Sequence, residues 1–135
     1  MQPEGCPFCA IADDRAHANV VYRDDEVIAF LPLHLVAYGH TLIAPREHYE
    51  TLWDIPQGVL TRLLDATQML TARYRSMLGA TGVNILHASG KDAQQSVPHL
   101  HLHLLPRFPH DGLDTWPKLN EVHVDRMELT RKLHT

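Results

Sequence analysis

Residues 96–107 read SVPHLHLHLLPR, and the alternation of His99, His101 and His103 with single leucines constrains the backbone more than any other stretch. In a β-strand, side chains at every second position share a face and stand roughly 6.5–7 Å apart along it. A strand therefore sets the three imidazoles on one side and Leu100, Leu102 and Leu104 on the other, whereas a helix would scatter both sets. The leucines are expected in the core beneath a covering helix, and the histidines on the opposite surface. An incidental polar face is the plain alternative in a chain with 11 histidines, but three in register favour chemistry.

The remaining pattern says what surrounds this strand. Residues 19–31, NVVYRDDEVIAFL, hold two β-rich runs flanking Asp24 and Asp25, a hairpin signal. A short strand over 41–44 stops at Pro45, which has no amide hydrogen for a ladder. Between 56 and 78 the positions Leu60, Leu63, Leu64, Thr67, Leu70, Tyr74, Met77 and Leu78 recur at steps of three and four, predicting one long amphipathic helix closed by Gly79 and Gly82. Two later strands, GVNILHA and HLHLHLLP, flank the polar loop SGKDAQQSV, and residues 125–134 carry a weak helical pattern. The layout is α+β, an antiparallel sheet covered on one face by the helix. Trp53, Tyr74 and the methionines are expected in the core; His17, His110, His123 and His134 in solvent.

Length and charge bound the function. The chain's 135 residues match one domain, 1–135, with a CxxC arm at 1–18 and a tail at 110–135. A formal net charge of −4 gives no basic face for a nucleic-acid polymer or an anionic membrane, while leaving a small phosphorylated ligand open. No apolar run nears the roughly 20 residues of a membrane span and the N-terminus lacks a secretory layout, so a cytoplasmic protein is expected. Two cysteines, both in CPFC, cannot build a disulfide framework; their spacing fits a zinc half-site, a redox pair or two buried thiols.

The histidine strand itself supports two chemistries. Two imidazoles one residue apart can chelate a catalytic metal, or a neutral imidazole can attack phosphorus while its neighbours hold the phosphate oxygens. The wider string decides. His99-Leu100-His101-Leu102-His103-Leu104-Leu105, with CPFCAI, VIAF, GHTLIAPREHYETL, GVN and QSVPHLHLHLLPR, resembles the histidine triad (HIT) family of nucleotide hydrolases and transferases, up to about residue 110. Pro106-Arg107 is similar to the fragile histidine triad and bacterial branch. The resemblance implies a five-stranded antiparallel sheet with one long helix. It also implies a homodimer, joined through that helix and the next strand into a continuous ten-stranded sheet.

It further implies roles. His101 would be the nucleophile toward the α-phosphate of a nucleotide conjugate, a dinucleoside polyphosphate or nucleoside phosphoramidate, forming a nucleotidyl-histidine intermediate. The second nitrogen of His101 must then carry the hydrogen and donate it, most simply to a backbone carbonyl. His103, with His99, completes the catalytic set; Asn84, Gln95 and Ser96 would lie near the phosphate. Cys6, Cys9, His48 and His99 would hold a structural zinc, and no catalytic cofactor is expected. Two departures alter the nucleoside pocket: Pro32 stands where the family usually carries Asp or Asn for the ribose, and Ala88 where it tends to carry a second Asn. The usual small-Gly-Gln loop becomes Ala93-Gln94-Gln95, and His34 or Tyr38 are candidates to take over contacts. The alternatives are a metal-dependent hydrolase built on the His-x-His strand and a non-catalytic nucleotide-binding regulatory protein of the same fold.

Overall fold

The computed structural model describes residues 3–135; Met1 and Gln2, part of the predicted arm, lie outside the described residues. The chain runs α1 (Pro7–Ala12), β1 (Val20–Arg23), β2 (Val27–Phe30), β3 (Thr41–Pro45), α2 (Gln57–Arg73), β4 (Gly82–His87), β5 (Leu102–Arg107) and α3 (Arg126–Leu133). The strands form one antiparallel sheet in the order β1-β2-β3-β5-β4. Asp24 closes the β1–β2 turn by accepting the amides of Glu26 and Val27, both at 2.8 Å.

Register assigns the faces. Phe30 faces Leu42, Leu42 faces His103 and His103 faces Leu86, so these four share one side; Ala29, Ile43 and Leu102 share the other. On the second side Leu100, Leu102 and Leu104 pack with Val27, Ala29 and Ile43 against Leu63, Ala66, Leu70 and Tyr74 of α2, as the alternation requires. The first side is not an open surface, which corrects the sequence expectation. Cys6, Phe8, Cys9 and Ala12 of the arm cover it over Ile28, Phe30 and Leu42, so that His99 and His101 are buried. Phe8 alone, if fully buried on folding, contributes about 1.5–3 kcal/mol to that cover.

Several boundaries also move. β5 starts at Leu102, so His99 and His101 lie ahead of the ladder, on an extended approach tied by the amide of Leu100 to the carbonyl of Tyr49 at 2.7 Å. The long helix is α-helical to Arg73 and continues as a π turn over Tyr74–Leu78, which Gly79 ends in the left-handed region, φ 73°. Gly82 opens β4 instead of closing the helix. Trp53, Leu64 and Met77 are exposed, not core, as is Met127; Tyr74 is buried. His17, His110, His123 and His134 are exposed as expected.

Candidate active site

The hydrogen-bond partners of each imidazole assign its tautomer, because a carbonyl oxygen can only accept and a backbone amide can only donate. His99 Nε2 lies 2.8 Å from the Pro45 carbonyl, so that nitrogen carries the hydrogen and Nδ1 keeps its lone pair. His101 Nδ1 lies 2.8 Å from the carbonyl of His99; the hydrogen is there, and the Nε2 lone pair is free. For His103 the assignment runs through a second ring: the Val36 amide donates to His40 Nδ1 at 3.2 Å, so His40 donates from Nε2 to His103 Nδ1 at 3.0 Å. His103 therefore presents Nε2–H.

The rings of His101 and His103 have centroids 5.1 Å apart, and Phe8 meets His101 edge-on at 5.0 Å. Burial is the main influence on their protonation. It pushes His103 down to about 4 and lowers His101 and His40 from the usual imidazole value, since an imidazolium away from water is costly. The site therefore holds a neutral imidazole with a directed lone pair beside a second ring that presents an N–H.

The other expected ligand-binding residues are placed differently. Asn84 shares the sheet face of His103, but its side-chain oxygen accepts from Arg107 Nη1 and Thr115 Oγ1, both at 2.7 Å. Gln95 is engaged within the loop: its oxygen accepts the Gly90 amide at 2.8 Å, and its nitrogen donates to the carbonyls of Glu50 and Val97. Ser96 is exposed, as are His34 and Tyr38, while Pro32 is half-buried. Sequence reasoning missed His40 and His87. His40 could be found from strand parity: residue 40 shares the face of Leu42, the ladder partner of His103. His87 bonds the carbonyl of His101 through Nδ1 at 2.9 Å, a contact that needs the register of β4 on β5.

A second cluster lies at the start of the histidine strand. One ligand atom each from Cys6, Cys9, His48 and His99 falls within 4.8 Å of the others. His99 Nδ1 is 3.4 Å from Cys6 Sγ, 3.5 Å from Cys9 Sγ and 3.1 Å from His48 Nδ1; Cys9 Sγ is 3.4 Å from His48 Nδ1. Zinc bonds of about 2.0–2.3 Å in a tetrahedron put neighbouring donors roughly 3.3–3.8 Å apart, and these four separations lie in or just below that range. The Nε2–H of His99 on Pro45 is the kind of second contact that orients a ligating imidazole. Cys6 and Cys9 are both free and buried, and burial pushes the Cys9 thiol up to about 12.

This geometry defines a class: a small α+β protein in which the extended approach to β5 brings a neutral, backbone-oriented imidazole into a covered site next to a Cys2His2 cluster. The HIT domain family model matches residues 14–110, and the chain belongs to the HIT family. An uncharacterized HIT-like protein of Saccharolobus solfataricus is 36% identical over 129 residues, 96% of this chain and 89% of its own length. The adenylylsulfatase HINT3 of Arabidopsis thaliana is 30% identical over 108 residues, 80% of this chain and 55% of its own. A zinc-bound histidine triad family protein of Mycobacterium smegmatis superposes with a TM-score of 0.79 at 34% identity, over 94% of this chain and 88% of that one.

Proposed function

We propose that the protein is a nucleotidyl hydrolase or transferase acting at the α-phosphate of a nucleotide conjugate, with His101 as nucleophile. The observation that carries this is the 2.8 Å bond from His101 Nδ1–H to the carbonyl of His99, which leaves Nε2 unprotonated in a ring that burial keeps neutral. Nε2 attacks the α-phosphorus, the P–N bond forms as the bond to the leaving group breaks, and the leaving group departs with its electron pair and takes up a proton. Nε2–H of His103 donates to a phosphoryl oxygen as charge develops there. Water then cleaves the P–N bond, releasing the mononucleotide and restoring the ring.

Dinucleoside polyphosphates, nucleoside phosphoramidates and adenylyl sulfate share the required chemistry, a nucleoside α-phosphate bearing a leaving group. The loss of an Asp or Asn at Pro32 points away from tight ribose recognition. Cys6, Cys9, His48 and His99 would hold a zinc ion, which would pin the arm over the sheet and take no part in the reaction. The reading includes a homodimer in the cytoplasm, paired through the free edge of β4. The described residues contain no helix long and apolar enough to cross a membrane.

The test is incubation with a panel of those three substrate types. Mononucleotide release that disappears in His101→Ala, with a phosphoramidate-linked nucleotidyl adduct on the wild-type protein by mass spectrometry, supports the reading. Turnover that survives His101→Ala but is abolished by chelators, with the protein still folded and no adduct, selects the metal-dependent hydrolase instead. Nucleotide binding without turnover selects the regulatory protein.

A further inference from the structure

Both ladders that flank β5 reach back only to Leu102, so the residue carrying the free Nε2 lone pair sits where the sheet has run out. His87, the last residue of β4, faces Leu102 across the ladder, and its ring turns back toward His101. Nδ1 is 2.9 Å from the carbonyl oxygen of His101, and Nε2 is 2.6 Å from Ser89 Oγ. The Leu52 amide donates to that hydroxyl at 2.9 Å. A hydroxyl that accepts from an amide is free to give its own hydrogen onward, so Ser89 donates to Nε2 and His87 carries its hydrogen on Nδ1. The carbonyl acceptor demands the same tautomer from the other side.

We propose that His87 is a positioning residue for His101, supplying with its side chain the hydrogen bond that the backbone ladder no longer provides. Residue 101 is then held at both ends: its ring by the carbonyl of His99, and its own carbonyl by His87. The support is anchored outside the strand. Leu52 belongs to a turn organised by Asp54, whose carboxylate accepts the amides of Glu50 at 3.0 Å and Thr51 at 2.6 Å. His87 does not touch substrate; it fixes the peptide from which the attacking ring projects. Displacement of a nucleophile from its attack line costs rate more than binding, so the effect belongs to kcat. The proposal rests on the reading of His101 as nucleophile.

The experiment compares His87→Leu, which keeps bulk and removes the donor, with His87→Asn, whose side-chain N–H lies about where Nδ1–H was. Loss of the donor to a buried carbonyl is expected to lower kcat about tenfold in His87→Leu, with KM within about twofold of wild type. His87→Asn is expected to recover most of the loss, and Ser89→Ala, which frees Nε2 to take the hydrogen, to fall between. Equal losses in the Leu and Asn variants, or a change confined to KM, overturn the proposal. Imidazole 15N spectra give an independent arm: wild-type His87 is expected as the Nδ1–H tautomer, with the ring signals of His101 shifted in the Leu variant and restored in the Asn variant. An Nε2–H tautomer, or His101 signals indifferent to both changes, overturns it whatever the activity. If the wild type transfers no nucleotide, the functional reading fails, and the spectra still decide the positioning role.

Discussion

The imidazoles of this site are held neutral by burial, and that has a consequence for stability as well as for attack. Burial pushes His99 and His103 down to about 4 and lowers His101 and His40. In the unfolded chain the same rings take up protons near pH 6.5. Between these values the unfolded state binds more protons, so folding stability is lost as pH falls. Urea denaturation of the metal-free protein is expected to give a nearly constant free energy from pH 8 to about 6.5, an imidazole-driven decline from there to about 4, and further loss below that as Asp24, Asp54 and Asp111, whose carboxyls are held below the usual range, take up protons. A His103→Gln variant should show a shallower decline, and stability that rose on acidification would contradict the neutral assignment. The alternation of leucine and histidine told which side chains share a face, and Leu100, Leu102 and Leu104 lie in the core it required. For His99 and His103 it could not tell which nitrogen bears the hydrogen. That depends on Pro45, His40 and Val36, residues more than 50 positions away that only the folded sheet brings near.

At the scale of elements, the arm and the loop before the histidine strand hold the site in shape. In the loop, Gly90 and Gln94 both adopt left-handed backbone, φ 95° and 67°. Glycine takes that region without cost, whereas the Cβ of Gln94 is strained in it. Gln94→Gly is therefore expected to stabilise the protein by up to about 1 kcal/mol, less the added freedom of the unfolded chain, read as a higher thermal midpoint. A lower midpoint would mean that the Gln94 side chain makes a contact worth more than the strain. With zinc bound as proposed, Cys6, Cys9, His48 and His99 tie the arm to the sheet. Chelation in a reducing buffer is expected to lower the midpoint by about 10 °C, given that a ligand at a thousand times its Kd contributes about 4 kcal/mol; Cys9→Ser should start from the lower value and not respond to chelator. A midpoint unmoved by chelation, with no zinc in the purified protein, would leave two buried thiols as the account of CPFC. The CPFC spacing shows half of a zinc site, and the resemblance to the HIT family adds His48 and His99; the folded chain brings the four together. Trp53, Leu64 and Met77 misled because apolar residues at helical or turn positions indicate what an element can bury, and here nothing within the described chain covers them.

At the scale of the whole molecule the sheet has two edge strands, β1 and β4, followed by an exposed C-terminal extension; the proposed dimer pairs through β4. β4 ends the sheet, and Val83 and Ile85 on it are exposed at 39% and 48%. Beside it runs a groove lined by Thr71, Arg75, Ala80, Gly82 and Val83. After Arg107, which bonds Asp111, Asn84 and Thr115, the tail continues through exposed Trp116, Leu119 and Val122 into α3, whose residues are all exposed. An apolar sheet edge left bare invites pairing with another chain, and a second copy related by a two-fold axis covers the β4 edges of both at once. Sedimentation equilibrium is expected to give about twice the chain mass, and Val83→Lys, which sets a charge on the free edge, to give monomers. The proposed dimer would bear on the chemistry because β4 also carries His87, the proposed support of His101. A monomeric Val83→Lys that stays folded should therefore lose kcat in step with His87→Leu, while its nucleotide affinity changes little. Full activity in the monomer would mean that β5 alone holds the end of β4 in place, and would separate assembly from catalysis.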